Sequence, residues 1–150
     1  MSNSEPAAVR HHPVLGTVAF DEAMFWWRAQ QPIALAGGDQ VMLTLSISAE
    51  PDLPAERFDE AAETLRRLDA RSLRQLVAEE LLELYNDTWR QDGNAELDLD
   101  GFGTRIRPTS VDVSEDGVEI YFDDGGLFGQ HSIVVLLNTD LDLVDVKLAG

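Results

Sequence analysis

The sequence predicts an α+β domain: an antiparallel sheet of about six to seven strands with two consecutive helices packed on one face, in the order βββ-αα-ββββ. Three observations lead to that class. Within Ser72–Arg90, the residues Leu73, Leu76, Val77, Leu81, Leu84, Tyr85 and Thr88 recur at three- and four-residue spacing, which makes a stripe down one side of a helix. Upstream, Val41, Leu43, Leu45 and Ile47 alternate with Gln40, Met42, Thr44, Ser46 and Ser48, the period of a half-buried strand. Downstream, Val118, Ile120 and Phe122 alternate in the same way with Glu119, Tyr121 and Asp123. The helical stripe needs an apolar surface to cover, and the strands supply one.

Taken in order, residues 1–12 have no periodicity and are expected to form a flexible arm, with 13–150 folding as a single domain. Pro13 to Phe20 reads as a first strand. Met24 to Ala34 brings Trp26 and Trp27, which must point to opposite faces if the backbone is extended, so one should be more exposed. Gly37-Gly38-Asp39 suits a hairpin turn, and Glu50-Pro51-Asp52-Leu53-Pro54 ends the sheet segment because proline cannot donate to a ladder. Phe58, Ala61, Ala62, Leu65 and Leu68 form the stripe of a first helix, and Asp69 to Arg71 is a short break. Ser72 with Gln75 fits a capping box that starts the second helix, and Gln91 to Asn94 stops it. Phe102 to Arg107 is ambiguous. Val111 and Val113 then lead through turns at Ser114–Gly117 and Asp123–Gly126 to His131–Leu137, an apolar strand expected at the sheet centre. After a turn at Asn138–Asp142, the residues Val144, Val146 and Leu148 close the meander.

Twenty-eight acidic residues against 11 basic give a formal net charge of −17, a sign that disfavours nucleic-acid backbone and anionic membrane. Lys147 is the only lysine, and no arginine cluster reads as a phosphate-tracking patch. The chain has no cysteine, which removes disulfides and thiolate metal sites and suits a reducing compartment. Ile133 to Leu137 is the longest purely aliphatic run, far too short to span a bilayer. A soluble cytoplasmic protein is therefore the expectation. The acidic excess serves either solubility or a basic protein partner.

Few residues carry chemistry. Glu96, Asp98, Asp100 and Gly101 imitate the opening of a calcium loop, but Arg107 stands where the bidentate carboxylate should be, so no metal site is expected there. His11 and His12 lie in the arm and point apart. His131 follows the turn Gly125-Gly126-Leu127-Phe128-Gly129. It is expected to satisfy a turn carbonyl, with Asn86 or Trp89 near it and no metal or other cofactor. Trp26 is a candidate interface anchor, since tryptophan is enriched where proteins bind. Glu115, Asp116, Glu119, Asp123, Asp124, Asp140, Asp142 and Asp145 fall on turns and on the outward phase of the last strands. If those strands are adjacent, Asp123, Asp124, Asp140 and Asp142 should converge as a binding surface.

Leu15-Gly16, the run Leu84-Tyr85-Asn86-Asp87-Thr88-Trp89, and the run Gly126-Leu127-Phe128-Gly129-Gln130-His131-Ser132-Ile133 together give the chain a wider likeness. From about residue 13 to 150 it resembles an uncharacterised bacterial domain-of-unknown-function family, similar to families that include immunity proteins of toxin systems. Gln130 departs from that pattern, which often has glycine before the histidine. The resemblance implies a compact α+β domain and carries over no catalytic residue. Two functional classes follow. One is a non-enzymatic immunity-type or adaptor module that engages a basic partner; the other is a small hydrolase or metal-dependent enzyme using His131 with Asp123, Asp124 or Asn138.

Overall fold

Two antiparallel meanders, joined edge to edge by one parallel pair, make a nine-stranded sheet in the computed structural model of the chain, which describes residues 8–47 and 52–150. The first meander is β1 (Val9–His12), β2 (Gly16–Asp21), β3 (Trp26–Ala29) and β5 (Gln40–Ser46), with the short β4 (Ile33–Ala34) folded back on β5. The second is β6 (Arg107–Ser114), β7 (Val118–Asp123), β8 (Ser132–Leu137) and β9 (Leu143–Ala149). Between them run α1 (Ala55–Arg67), α2 (Ala70–Leu84), a π-helical segment (Tyr85–Trp89) and α3 (Leu99–Arg105). This helical crossover is long enough to return the chain in its original direction, so β5 and β6 pair in parallel, Leu43 opposite Val111 and Leu45 opposite Val113. The purely antiparallel sheet expected from sequence is thus corrected at one seam. The strand count and the third helix also depart from βββ-αα-ββββ.

The helices cover one face. Trp27, Leu43, Leu45, Val111, Ile120, Phe122, Ile133 and Val135 share a single core with Phe58, Ala61, Leu65, Val77, Ala78 and Leu81. Each large aliphatic side chain so buried contributes about 1.5–3 kcal/mol. Trp27 is 0% exposed and meets Phe20 and Phe58 edge-on at 5.6 and 5.1 Å, whereas Trp26 on the opposite phase is only partly buried, as the extended backbone demands. Among the described residues no helix is long and apolar enough to cross a membrane.

Several local expectations shift. Val9–His12 is not a loose arm: it pairs with β2, and His12 accepts hydrogen bonds at Nδ1 from the backbone N–H groups of Val14 and Leu15 while its Nε2 meets Asp59 at 2.8 Å. Residues 1–7 of that arm lie outside the described residues, as do Ser48 of the expected alternation and Glu50-Pro51 of the expected break. The second helix starts under Asp69, whose carboxylate accepts from Arg71 N at 3.0 Å. Ser72 and Gln75 form no capping box, and the Ser72 hydroxyl turns back toward Asp69 instead. Asp98 caps α3 by accepting from Gly101 N at 2.7 Å, so the calcium-like acidic run is a helix start. Finally, β8 is apolar on both faces but sits next to the edge strand β9, and the central strands are β5 and β6. Val134 is buried on its outer face because Tyr121 and Lys147 flank it in register.

Candidate functional site

Of the residues singled out from sequence, His131, Trp89 and Asp124 meet at one end of the sheet, in the turn between β7 and β8. Gly125 and Gly126 adopt φ of +60° and +83°, and a Cβ at Gly125 would lie 2.0 Å from the Arg105 carbonyl oxygen, so the tight return requires glycine there. Asp124 is 0% exposed, and both its oxygens are occupied. Oδ1 accepts from Gly126 N at 2.8 Å, and Oδ2 accepts from Phe128 N and His131 N at 2.9 and 3.1 Å. His131 Nδ1 bonds the Phe128 carbonyl, and its ring meets Trp89 edge-on at 5.5 Å. Asn86 does not join them. It clamps the Leu97 backbone, donating to its oxygen at 2.9 Å and accepting from its N–H at 3.0 Å. The wide π turn, closed by Arg90 N to Tyr85 O at 2.7 Å, presents Tyr85 and Trp89 to Phe128; Tyr85 and Phe128 are buried while Trp89 stays exposed. At this end of the molecule both Asp124 oxygens and His131 Nδ1 are spent on backbone.

The expected acidic surface does not assemble. Asp123 pairs with Ser132 at the start of β8, while Asp140 and Asp142 follow its other end, about 17 Å away at the rise of a six-residue strand. The N–H groups of Asp140 and Asp142 both donate to Asn138 Oδ1, which places Asn138 in its own turn and far from His131. Asp124 is buried. Of the hydrolase constellation of His131 with Asp123, Asp124 or Asn138, Asp123 lies beside His131 through its pairing with Ser132, Asp124 is spent on backbone N–H groups including that of His131, and Asn138 lies at the other end of β8; Glu115, beside the Asp140 turn, is already paired with Arg57 at 2.9 Å.

Another group of polar residues converges on the sheet face opposite the helices. The outward phase of the central strands sets Arg28, Thr44, Asp112 and Glu119 in one register row across β3, β5, β6 and β7. With Trp26, Met42, Ser110, Val111 and Tyr121 they line a cavity of about 410 Å³ whose walls are mostly apolar. Thr44 and Ser46 hydroxyls both donate to Asp112 Oδ1, at 2.6 and 2.7 Å, and Tyr121 donates to Glu119 Oε2 at 2.8 Å. Among the described residues, Asp112 Oδ2 and Glu119 Oε1 accept no hydrogen bond and pair with no cation. Burial, only partly offset by the two hydroxyls, raises the Asp112 carboxyl above its usual range, and Glu119 directly opposite adds repulsion. The hydrogen bond to Glu119, then burial, pushes the Tyr121 phenol up to about 12, so it remains a donor. The indole Nε1–H of Trp26 is buried and has no partner among the described residues.

A family model described as "Uncharacterized protein conserved in bacteria (DUF2262)" matches residues 12–148. The chain belongs to that family. Comparison with curated proteins and with solved structures finds no match. The family span takes in both the β7–β8 turn and the open-face cavity. Because the family description assigns no chemistry, roles in either region come from geometry alone. Sequence reasoning named Trp26 and Glu119 but missed Asp112, Thr44 and Tyr121 as a group. The signal was present in the outward phases of three strands, yet it becomes a cluster only when β5 and β6 are placed side by side.

Proposed function

We propose that this family member is a non-enzymatic protein-binding module, of immunity or adaptor type, that engages a basic protein through the open face of its sheet. The observation that carries the reading is the pair Asp112 and Glu119. Two carboxylates face each other across adjacent strands, where like charges destabilise, and each keeps one oxygen without a partner among the described residues. Within the fold that arrangement costs stability; against a cationic surface it becomes an attractive contact. The partly buried Trp26 adds the aromatic anchor typical of binding surfaces. Net charge of −17 would speed the encounter with a basic partner at low salt and slow it as salt rises.

The test is comparative capture from a bacterial lysate by immobilised parent, by the face variant Trp26→Ala/Asp112→Asn/Glu119→Gln, and by the turn variant Asp140→Asn/Asp142→Asn. The reading expects a basic protein retained by the parent and the turn variant, released by salt, and lost from the face variant. Equal retention of that protein on all three surfaces would contradict it.

A further inference from the structure

Resting on that reading, we propose that the open-face cavity is shaped for one kind of side chain: an arginine presented by the basic partner, its guanidinium bridging Asp112 and Glu119 beside the Trp26 ring. Three features select arginine. The two unpartnered acceptor oxygens belong to residues directly opposite one another on β6 and β7, whose Cβ atoms are about 5 Å apart. A planar fork with five N–H donors can reach both at once, whereas an ammonium is a compact point charge. The walls contributed by Met42 and the rings of Trp26 and Tyr121 are apolar, and a guanidinium gives up water more readily than an ammonium does and stacks on aromatic faces. The site is also pre-built from within. The Thr44 and Ser46 hydroxyls fix one oxygen of Asp112, and Tyr121 fixes one of Glu119, so both carboxylates are oriented before any partner arrives.

Trp26 has freedom to adapt. Its indole N–H makes no hydrogen bond among the described residues, so there packing alone sets the ring's orientation and turning toward an occupant breaks no polar contact. Arg28 does not already fill the role: in the register it is separated from Asp112 by Thr44, two strand spacings or about 10 Å, and it pairs with no carboxylate among the described residues. It stands at the rim, where it can meet a carbonyl or carboxylate of the partner backbone.

The experiment uses the full chain labelled with ¹⁵N at low salt, titrated with capped Gly-Arg-Gly-Arg-Gly and with the lysine peptide of equal charge. The indole N–H resonance of Trp26 is assigned through Trp26→Phe. The proposal expects saturable movement of that resonance with the arginine peptide, at least about fivefold tighter than with the lysine peptide, and loss of the response in Asp112→Asn and in Glu119→Gln. Each substitution keeps the internal hydroxyl acceptor, and unchanged circular dichroism would establish that each variant is folded. Equal affinity for the two peptides at Trp26 would overturn the choice of arginine while leaving a basic partner for this face intact. An arginine response that persists in both variants, or one confined to resonances outside the cavity, would overturn the site itself.

Discussion

Asp124 and Asp112 are both carboxylates drawn out of water on the sheet, and they are treated in opposite ways. Asp124 closes the β7–β8 turn with three backbone N–H groups donating to its two oxygens and no exposure to solvent. Asp112, in the middle of the open face, has one oxygen held by two hydroxyls, the other without a partner among the described residues, and a second carboxylate opposite. A fully coordinated carboxylate organises backbone and leaves nothing for a ligand. One that is oriented but half satisfied costs the fold energy and keeps its binding capacity. Position in the sheet and the use of each oxygen separate structural acid from available acid, which a count of acidic residues cannot do.

The sharpest way to break this comparison is at Asp124. Asp124→Ala strands three N–H donors in a buried turn, and hydrogen bonds to a charged group are worth about 1.5–3 kcal/mol each, so urea unfolding should show a loss of at least about 3 kcal/mol. A loss below about 1 kcal/mol would mean the turn is held by its aromatic cluster instead. Next in size is Arg74, which grips Asp39 with two bonds of 2.6 and 2.7 Å and donates to the Ile106 carbonyl at 3.1 Å, tying α2 to the β4–β5 turn and to the start of β6. Arg74→Met should cost about 2 kcal/mol. The Arg74 hydrogen bond holds the Asp39 carboxyl below its usual value of 3.8. That contribution is complete above 3.8 and disappears as pH falls through the lowered folded value, so the variant should show a flatter acid limb in its stability profile.

Smaller effects sharpen the contrast. Asp112→Asn keeps an oxygen for Thr44 and Ser46 and removes a desolvated charge, so it should raise stability at neutral pH by about 0.5 kcal/mol, measured by urea midpoint. Asp140→Asn with Asp142→Asn changes exposed groups whose backbone N–H groups, not side chains, build the turn, and should leave stability within about 0.5 kcal/mol of the parent.

Much of the fold was legible because periodicity is local. The stripe of α2, the alternation of β5 and β7 and the split between Trp26 and Trp27 follow from residues within a few positions of each other. α3 was illegible: its seven residues include Gly101 and Gly103, poor helix formers. β1 was missed because its four residues gain order only from pairing with β2. The candidate site stayed hidden for a related reason. Thr44 and Asp112 are 68 residues apart, and only the parallel seam, a product of the whole helical crossover, makes them neighbours. The acidic surface expected from Asp123, Asp124, Asp140 and Asp142 failed because adjacency of strands does not bring their opposite ends together.

The central claim is that Asp112 is kept charged at a cost to the fold, and its stability profile tests that most directly. Urea unfolding of the parent, Asp112→Asn and Asp140→Asn would be followed from about pH 3 to about pH 8. Burial raises the Asp112 carboxyl above 3.8, so the folded chain holds that proton more tightly than the unfolded one, and stability is withdrawn as pH climbs through the ordinary value and past the raised one. The account predicts that Asp112→Asn is the more stable protein at neutral pH, that its advantage closes toward the acid end, and that Asp140→Asn, which removes the same charge from an exposed turn, gains less. An Asp112→Asn protein less stable than the parent at neutral pH would contradict it, because the carboxylate would then be supporting the fold as Asp124 does.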